Sequence, residues 1–243
     1  MKFRLLIAIL LIGSQALAIT GEQVINRVDK NMTFGSSKST SKMTIHVGKQ
    51  VRTKKMVSYS QGRDKSFAEF IYPARDKGVK FLKIGDNMWM YLPSVDKTIK
   101  IAGHMLRQSM MGSDFSYEDA LESDKLLEKY DVRLVGEEEK EKRFTYVLEL
   151  TAKVKKVTYY KRKIWVDKQY MVPLREELFA KSGKKLKVME LSDIKKFGSR
   201  YYPTKIILKN LLRKNSRTEM VVEKIAFDSK LPAKIFSKAN LTN

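Results

Sequence analysis

Asp86-Asn87-Met88-Trp89-Met90-Tyr91-Leu92-Pro93, followed closely by His104-Met105-Leu106-Arg107-Gln108-Ser109-Met110-Met111-Gly112-Ser113-Asp114-Phe115-Ser116-Tyr117-Glu118-Asp119, is where the chain changes architecture. The first run alternates, which puts Met88, Met90 and Leu92 on one face of a strand. The second run loses that period. Met105, Leu106, Met110 and Met111 fall at spacings that give one apolar helix face, and Phe115 follows them. Ser116 with Asp119 has the form of a capping box, and Glu118, Asp119 and Glu122 suit the positive end of a helix. Methionine is unbranched and polarizable, so it lines surfaces that must fit flexible or variable apolar partners.

Outward from this stretch the period is two. Met43, Ile45 and Val47 alternate with Lys42, Thr44 and His46. Further strands are expected at 51–60, 66–72, 79–84, 88–92 and 98–101, broken by turn chemistry such as Gly62-Arg63-Asp64 and Gly85-Asp86-Asn87. Short helices are expected at 103–111 and within 117–130. The strand pattern then resumes at 132–136, 144–152, 158–166, 173–180, 185–194, 202–211 and 218–227. Ahead of all this, Val24, Ile25, Val28 and Met32 form one helical face with Thr20 in the N-cap position. The order is one helix, five or six strands, a helical insertion and about seven strands. That order implies an antiparallel meander with helices over one face.

The first eighteen residues have the three parts of an export signal. Lys2 and Arg4 give the positive start, Leu5 to Ile12 the apolar run, and Ala16-Leu17-Ala18 the small-x-small cleavage site. The run is shorter than the roughly 20 residues a spanning helix needs. The mature chain is therefore expected to begin near Ile19 and to work in the periplasm as one domain, 19–243. It contains no cysteine, which excludes disulfides, thiolate metal sites and a lipidated N-terminal Cys.

Composition is strongly basic, with 49 Lys plus Arg against 27 Asp plus Glu. Such a field suits nucleic acid. In an exported chain it suits anionic lipid head groups instead. Lys155, Lys156, Lys161, Arg162 and Lys163 are the expected patch facing a membrane or partner, with Lys153 beside it.

Catalytic and metal chemistry is not encoded. The two histidines, His46 and His104, have no further ligand at metal spacing, and no nucleophile elbow, zinc-protease motif or phosphate loop occurs. A helix N-terminus that collects acids accounts for Asp114, Glu118, Asp119 and Glu122, and Ser113 with Asp114 suits a turn that caps the next helix. No cofactor, metal site or enzyme activity is expected.

Several phrases together give the chain a family likeness. They are Arg52-Thr53-Lys54-Lys55-Met56, Asn87-Met88-Trp89-Met90-Tyr91-Leu92-Pro93, Gly112-Ser113-Asp114-Phe115-Ser116-Tyr117-Glu118-Asp119, Trp165-Val166-Asp167, Val172-Pro173-Leu174 and Tyr202-Pro203-Thr204. In this wording and order the chain resembles the LolA/LolB-like superfamily, and within it the outer-membrane lipoprotein-sorting proteins. That resemblance implies a mainly β fold, a curved antiparallel half-barrel of about 11 strands closed by helices over an apolar cavity. It implies a monomeric carrier for acyl chains of lipoproteins or other lipids, with an inner-membrane transporter as donor and an outer-membrane acceptor. The alternative it leaves open is a soluble partner of an RND-type or other envelope transporter without lipid cargo. Met88, Met90, Leu92, Met105, Leu106, Met110, Met111 and Phe115 are the expected lipid-binding residues.

Overall fold

The computed structural model describes residues 19–122, 126–232 and 234–242; the expected export signal at 1–18 lies outside the described residues. Helix α1 (Gly21–Met32) starts on a full capping box, with Gln23 N donating to Thr20 Oγ1 at 3.2 Å and Thr20 N donating to Gln23 Oε1 at 3.0 Å. It ends at Thr33, where the backbone turns extended, and Asn31 Nδ2 ties that end to the carbonyls of Tyr170 and Tyr201.

Thirteen strands then form one antiparallel sheet. The first six are β1 (Ser36–Val47), β2 (Gln50–Gln61), β3 (Lys65–Tyr72), β4 (Lys80–Ile84), β5 (Asn87–Leu92) and β6 (Lys97–Ile101). The insertion follows, as 3-10 turns at Gly103–Arg107 and Met110–Gly112 and short helices α2 (Tyr117–Leu121) and α3 (Leu126–Lys129). The last seven strands are β7 (Tyr130–Lys140), β8 (Arg143–Ala152), β9 (Lys161–Asp167), β10 (Pro173–Phe179), β11 (Lys185–Phe197), β12 (Arg200–Asn210) and β13 (Ser216–Phe227). Helix α4 (Ala239–Thr242) closes the described chain.

The expected half-barrel of about 11 strands is thus an unclosed sheet of 13, in the order β6-β5-β4-β3-β2-β1-β13-β12-β11-β10-β9-β8-β7. Every pairing in the sheet joins chain neighbours except at one seam. There β1 meets β13, with Met43 opposite Met220 and Ile45 opposite Thr218.

Alternation assigns each strand residue to a face. On the inner face, Met43, Ile45, Met56, Phe70, Phe81, Met88 and Met90 form one cluster at the β1–β6 half. Tyr130, Leu148, Leu150, Ile164 and Val166 form another at the β7–β9 half, where Val24 and Ile25 of α1 bury against them. Full burial of these two side chains stabilises by about 1.5–3 kcal/mol each. The outer face of β3–β5 is covered too. Ile235 and Leu241 pack there on Phe67, Leu82 and Trp89, so the chain's tail seals the side that the methionines do not occupy.

The insertion departs from expectation. In place of one helix at 103–111 there are two 3-10 turns separated by extended Gln108 and Ser109. Gly103 (φ 56°), Met111 (φ 52°) and Gly112 (φ 80°) take left-handed backbone, which no α-helix accommodates. The capping box is where the sequence places it, with Asp119 N donating to Ser116 Oγ at 3.2 Å and Ser116 N to Asp119 Oδ2 at 2.7 Å.

Gly21 is the tightest point in the packing of α1. A Cβ there would stand 2.9 Å from both Leu134 N and Val132 Cγ1. Gly21→Ala should therefore destabilise by about 1–3 kcal/mol, despite alanine's better helix propensity, and urea unfolding measures it.

Candidate functional site

The open edges of the sheet, β6 and β7, are consecutive in the chain, and the described residues between them pack on the inner face. Its first half is greasy. Met105, Leu106, Met110 and Met111, all partly buried, pack with Leu92 and Leu121 against the cluster that holds Met88 and Met90. Seven of the eight residues expected to bind lipid therefore gather in one place. Tyr117, also buried there, puts its hydroxyl 3.8 Å from Met90 Sδ and its ring 5.9 Å from that of Phe81. Phe115 stands apart. It lines a small open cleft of about 170 Å³ with Arg107, Tyr159, Lys187 and Leu212. A second open cleft of about 430 Å³ runs between Asp86 on the β4–β5 turn and Leu106, Leu121, Lys156 and Val157.

The second half of the insertion is held by acids, and they meet the sheet in order. Asp114, 1% exposed, accepts from Thr218 Oγ1 and Ser216 Oγ of β13, both at 2.7 Å, while its N–H donates to Thr218 Oγ1 at 2.9 Å. Asp119 accepts from Lys187 of β11 and from the Tyr159 hydroxyl. Glu122 pairs with Arg162 of β9, whose guanidinium also binds Glu176 of β10 at 2.9 Å. The strap therefore steps from β13 to β11 to β9 and reaches β7.

Electrostatics follow from burial. The Tyr159 hydroxyl is pushed far up, first by desolvation and then by the Asp119 and Glu122 carboxylates, so it stays protonated and donates. For Arg162, burial works against the charge, but Glu176 and Glu122 more than offset it and hold the guanidinium above its ordinary value. Buried pairs of this kind fix geometry more than they add stability, because desolvation cancels much of the attraction.

Two sequence expectations change here. The acids at 114, 119 and 122 do more than favour a helix N-terminus; each has a specific partner on the sheet. The expected basic patch is not one surface. Lys155 and Lys156 are exposed in the loop before β9. Lys161 and Lys163 point from the outer face, pairing with Glu149 at 3.0 Å and lying 4.9 Å over the Trp165 ring. Arg162, between them on the strand, turns inward by alternation and is 7% exposed. Sequence reasoning missed Tyr159, Lys187 and Thr218, since a lysine or threonine on an alternating strand reads as solvent-facing. Among the described residues no three His, Asp or Glu side chains gather as a metal site, and no helix is long and apolar enough to cross a membrane.

The Asp114 latch is open to test. Asp114→Ala removes the charged acceptor of two hydroxyls and should cost about 2–4 kcal/mol. Hydrogen exchange should speed up across residues 105–119 well before it does in β8 and β9. Thr218→Val should reproduce the effect more weakly.

With this geometry the chain can be placed among known proteins. No curated protein matches it. Among solved structures, a DUF1329 family protein from Desulfovibrio piger is 29% identical, with a TM-score of 0.86 over 91% of this chain and 97% of that one. An outer membrane lipoprotein-sorting protein domain from Vibrio parahaemolyticus is 24% identical, with a TM-score of 0.83 over 92% of this chain and 98% of that one. A LolA superfamily protein from Nitrosomonas europaea is 23% identical, with a TM-score of 0.76 over 92% of this chain and 100% of that one. At these identities the last two establish the fold alone, and the fold is that of the LolA superfamily. A family model described as an uncharacterized protein matches residues 62–243, and the chain belongs to that family.

Proposed function

We propose that the protein is a periplasmic carrier that takes acyl chains of lipoproteins or other lipids beneath the 103–112 segment and moves them toward the outer membrane. In this reading residues 1–18 are a cleaved leader and 19–243 the working domain. Met88, Met90, Leu92, Met105, Leu106, Met110 and Met111 form the acyl-binding surface, and Phe115 lines its approach.

One observation carries this reading: the covering segment sits on an apolar seat. Gly103 and Gly112 bracket it with left-handed backbone. Its side chains toward the sheet are Met105, Leu106, Met110 and Met111. The polar bonds that hold it run to residues just beyond the second glycine, such as Met110 N to Phe115 O at 2.8 Å, and to Arg213. Lifting the flap breaks these few polar bonds and its apolar contacts, while the Asp114 bonds to Thr218 and Ser216 lie outside it.

Magnitudes support an exchange. Full burial of one Met or Leu is worth about 1.5–3 kcal/mol, so four half-buried side chains contribute roughly 3–6 kcal/mol. An acyl chain gains about 0.8 kcal/mol per buried methylene, so roughly four to eight methylenes replace what the flap gives up. A longer acyl chain outweighs the flap, and the flap offsets part of that gain, which eases release. The LolA-superfamily fold and the sorting description carried by a neighbour of that fold point the same way.

Native mass spectrometry of protein purified without detergent should show bound lipid. Met110→Glu with Met111→Glu should reduce loading at least tenfold while circular dichroism keeps the β signature. Wild-type protein that stays empty when offered lipid, with a core that excludes it, would sink the proposal.

A further inference from the structure

Alternate turns of an antiparallel meander lie at the same end of the sheet. At one end, four neighbouring connections follow one another along the sheet order. They are 48–49 between β1 and β2, 211–215 between β12 and β13, 180–184 between β10 and β11, and 153–160 between β8 and β9. Hydrogen bonds tie them into one rim. Gly48 N donates to Asn215 O at 2.9 Å, Leu211 N to Leu186 O at 2.8 Å, and Tyr160 N to Phe179 O at 3.0 Å.

This rim combines two properties. Large apolar side chains stand out of it, with Val51 58%, Leu211 49%, Leu212 58% and Val154 41% exposed. Around them the charge is of one sign, because residues 46–52, 153–160, 180–187 and 209–217 contain no Asp or Glu at all. Lys49, Lys181, Lys184, Lys209, Lys214 and Arg217 are exposed, and Lys155 and Lys156 extend the row. The cations of these segments that do pair reach elsewhere, as Lys187 does to Asp119 and Lys185 to Glu177 at 2.7 Å. Turns at the opposite end carry Asp64, Asp86, Glu141 and Asp228. The next two connections at the same end, 73–79 and 93–96, carry Asp76 and Asp96, so the acid-free stretch is confined to these four neighbouring connections.

We propose that this rim docks on an anionic lipid bilayer, with Leu211, Leu212 and Val51 entering the interface and the surrounding lysines and arginines meeting acidic head groups. A surface that combines apolar insertion with several cations has the two signals that stable peripheral binding takes. Charge complementarity selects the occupant. A nucleic-acid surface would leave the protruding leucines without a role, and a protein partner would be expected to meet one continuous apolar patch with charge depleted at its centre. The rim borders the cleft that holds Phe115, since Leu212 lines both. The docking surface stands whether or not lipid enters beneath the flap.

Co-sedimentation of the mature protein with phosphatidylglycerol vesicles and with phosphatidylcholine vesicles tests this. Wild-type protein should partition onto phosphatidylglycerol, bind phosphatidylcholine at least tenfold more weakly, and lose binding as salt is raised. Leu211→Ser with Leu212→Ser should weaken partitioning about tenfold, as should Lys181→Glu with Lys184→Glu. Lys195→Glu with Lys196→Glu, an equal charge change on exposed β11 residues near the opposite end, should weaken it less than twofold. The proposal is overturned if wild-type protein ignores both vesicles, if it binds both equally, or if the control pair weakens binding as much as the rim pairs. Extraction of labelled lipid from the same vesicles reports on the carrier reading separately, because a rim variant that no longer sediments can still load lipid offered in dispersed form.

Discussion

Pairing of the first strand with the last puts both free edges of the sheet in the middle of the chain. With β1 hydrogen-bonded to β13, the edges are β6 and β7, and residues 102–129 must span from one to the other. The described residues of that segment pack on the inner face. The cover over that face is therefore a consequence of strand order, and its composition decides what kind of cover it is. Methionines over β1–β6 make it yielding, and acids over β13, β11 and β9 make it directional.

The two faces are divided by alternation with little overlap. Met88 and Met90 turn toward the flap, while Trp89 on the same strand turns toward the tail, where Lys100 and Lys238 lie 5.9 and 4.4 Å over its ring. A one-residue slip of β5 would exchange these faces and place an indole under the flap. The C-terminal tail therefore does more than cover apolar area. By occupying the outer face of β3–β5 it specifies the register that keeps the methionines inside.

Much of this was legible in the residues. Period-two runs located nearly every strand within a few positions, because one face of each is buried and the other mostly is not. The greasy segment was legible from its methionines even though its helix was misjudged: the expected helix fails at Gly103, Met111 and Gly112, whose left-handed backbone reflects the path of the strap rather than local propensity. What stayed hidden depends on contacts far apart in sequence. Met43 opposite Met220 sets the seam, and neither strand announces its partner. Lys187, Arg162 and Tyr159 look like an ordinary basic-aromatic surface until the strap's acids are brought down on them. The same blindness produced the single basic patch expected at 155–163, which alternation divides between two faces and a loop.

The division of labour within the strap has a physical basis. Apolar contact is non-directional, so methionines alone would let the segment settle anywhere on a greasy concave face. Buried charge is the reverse. Glu122 with Arg162 and Asp119 with Lys187 add little net stability once desolvation is counted, yet each tolerates only one placement, since a shifted strap would leave a buried charge unpaired. Fixing the far half by charge leaves the near half to rely on weak, adaptable apolar contact, between two glycines in left-handed backbone. A strap held by leucines throughout would pack more rigidly, and one held by ions throughout would present no apolar face to the sheet. The observed order, methionines first and acids after, joins an adaptable apolar cover to a directionally fixed one in fewer than thirty residues.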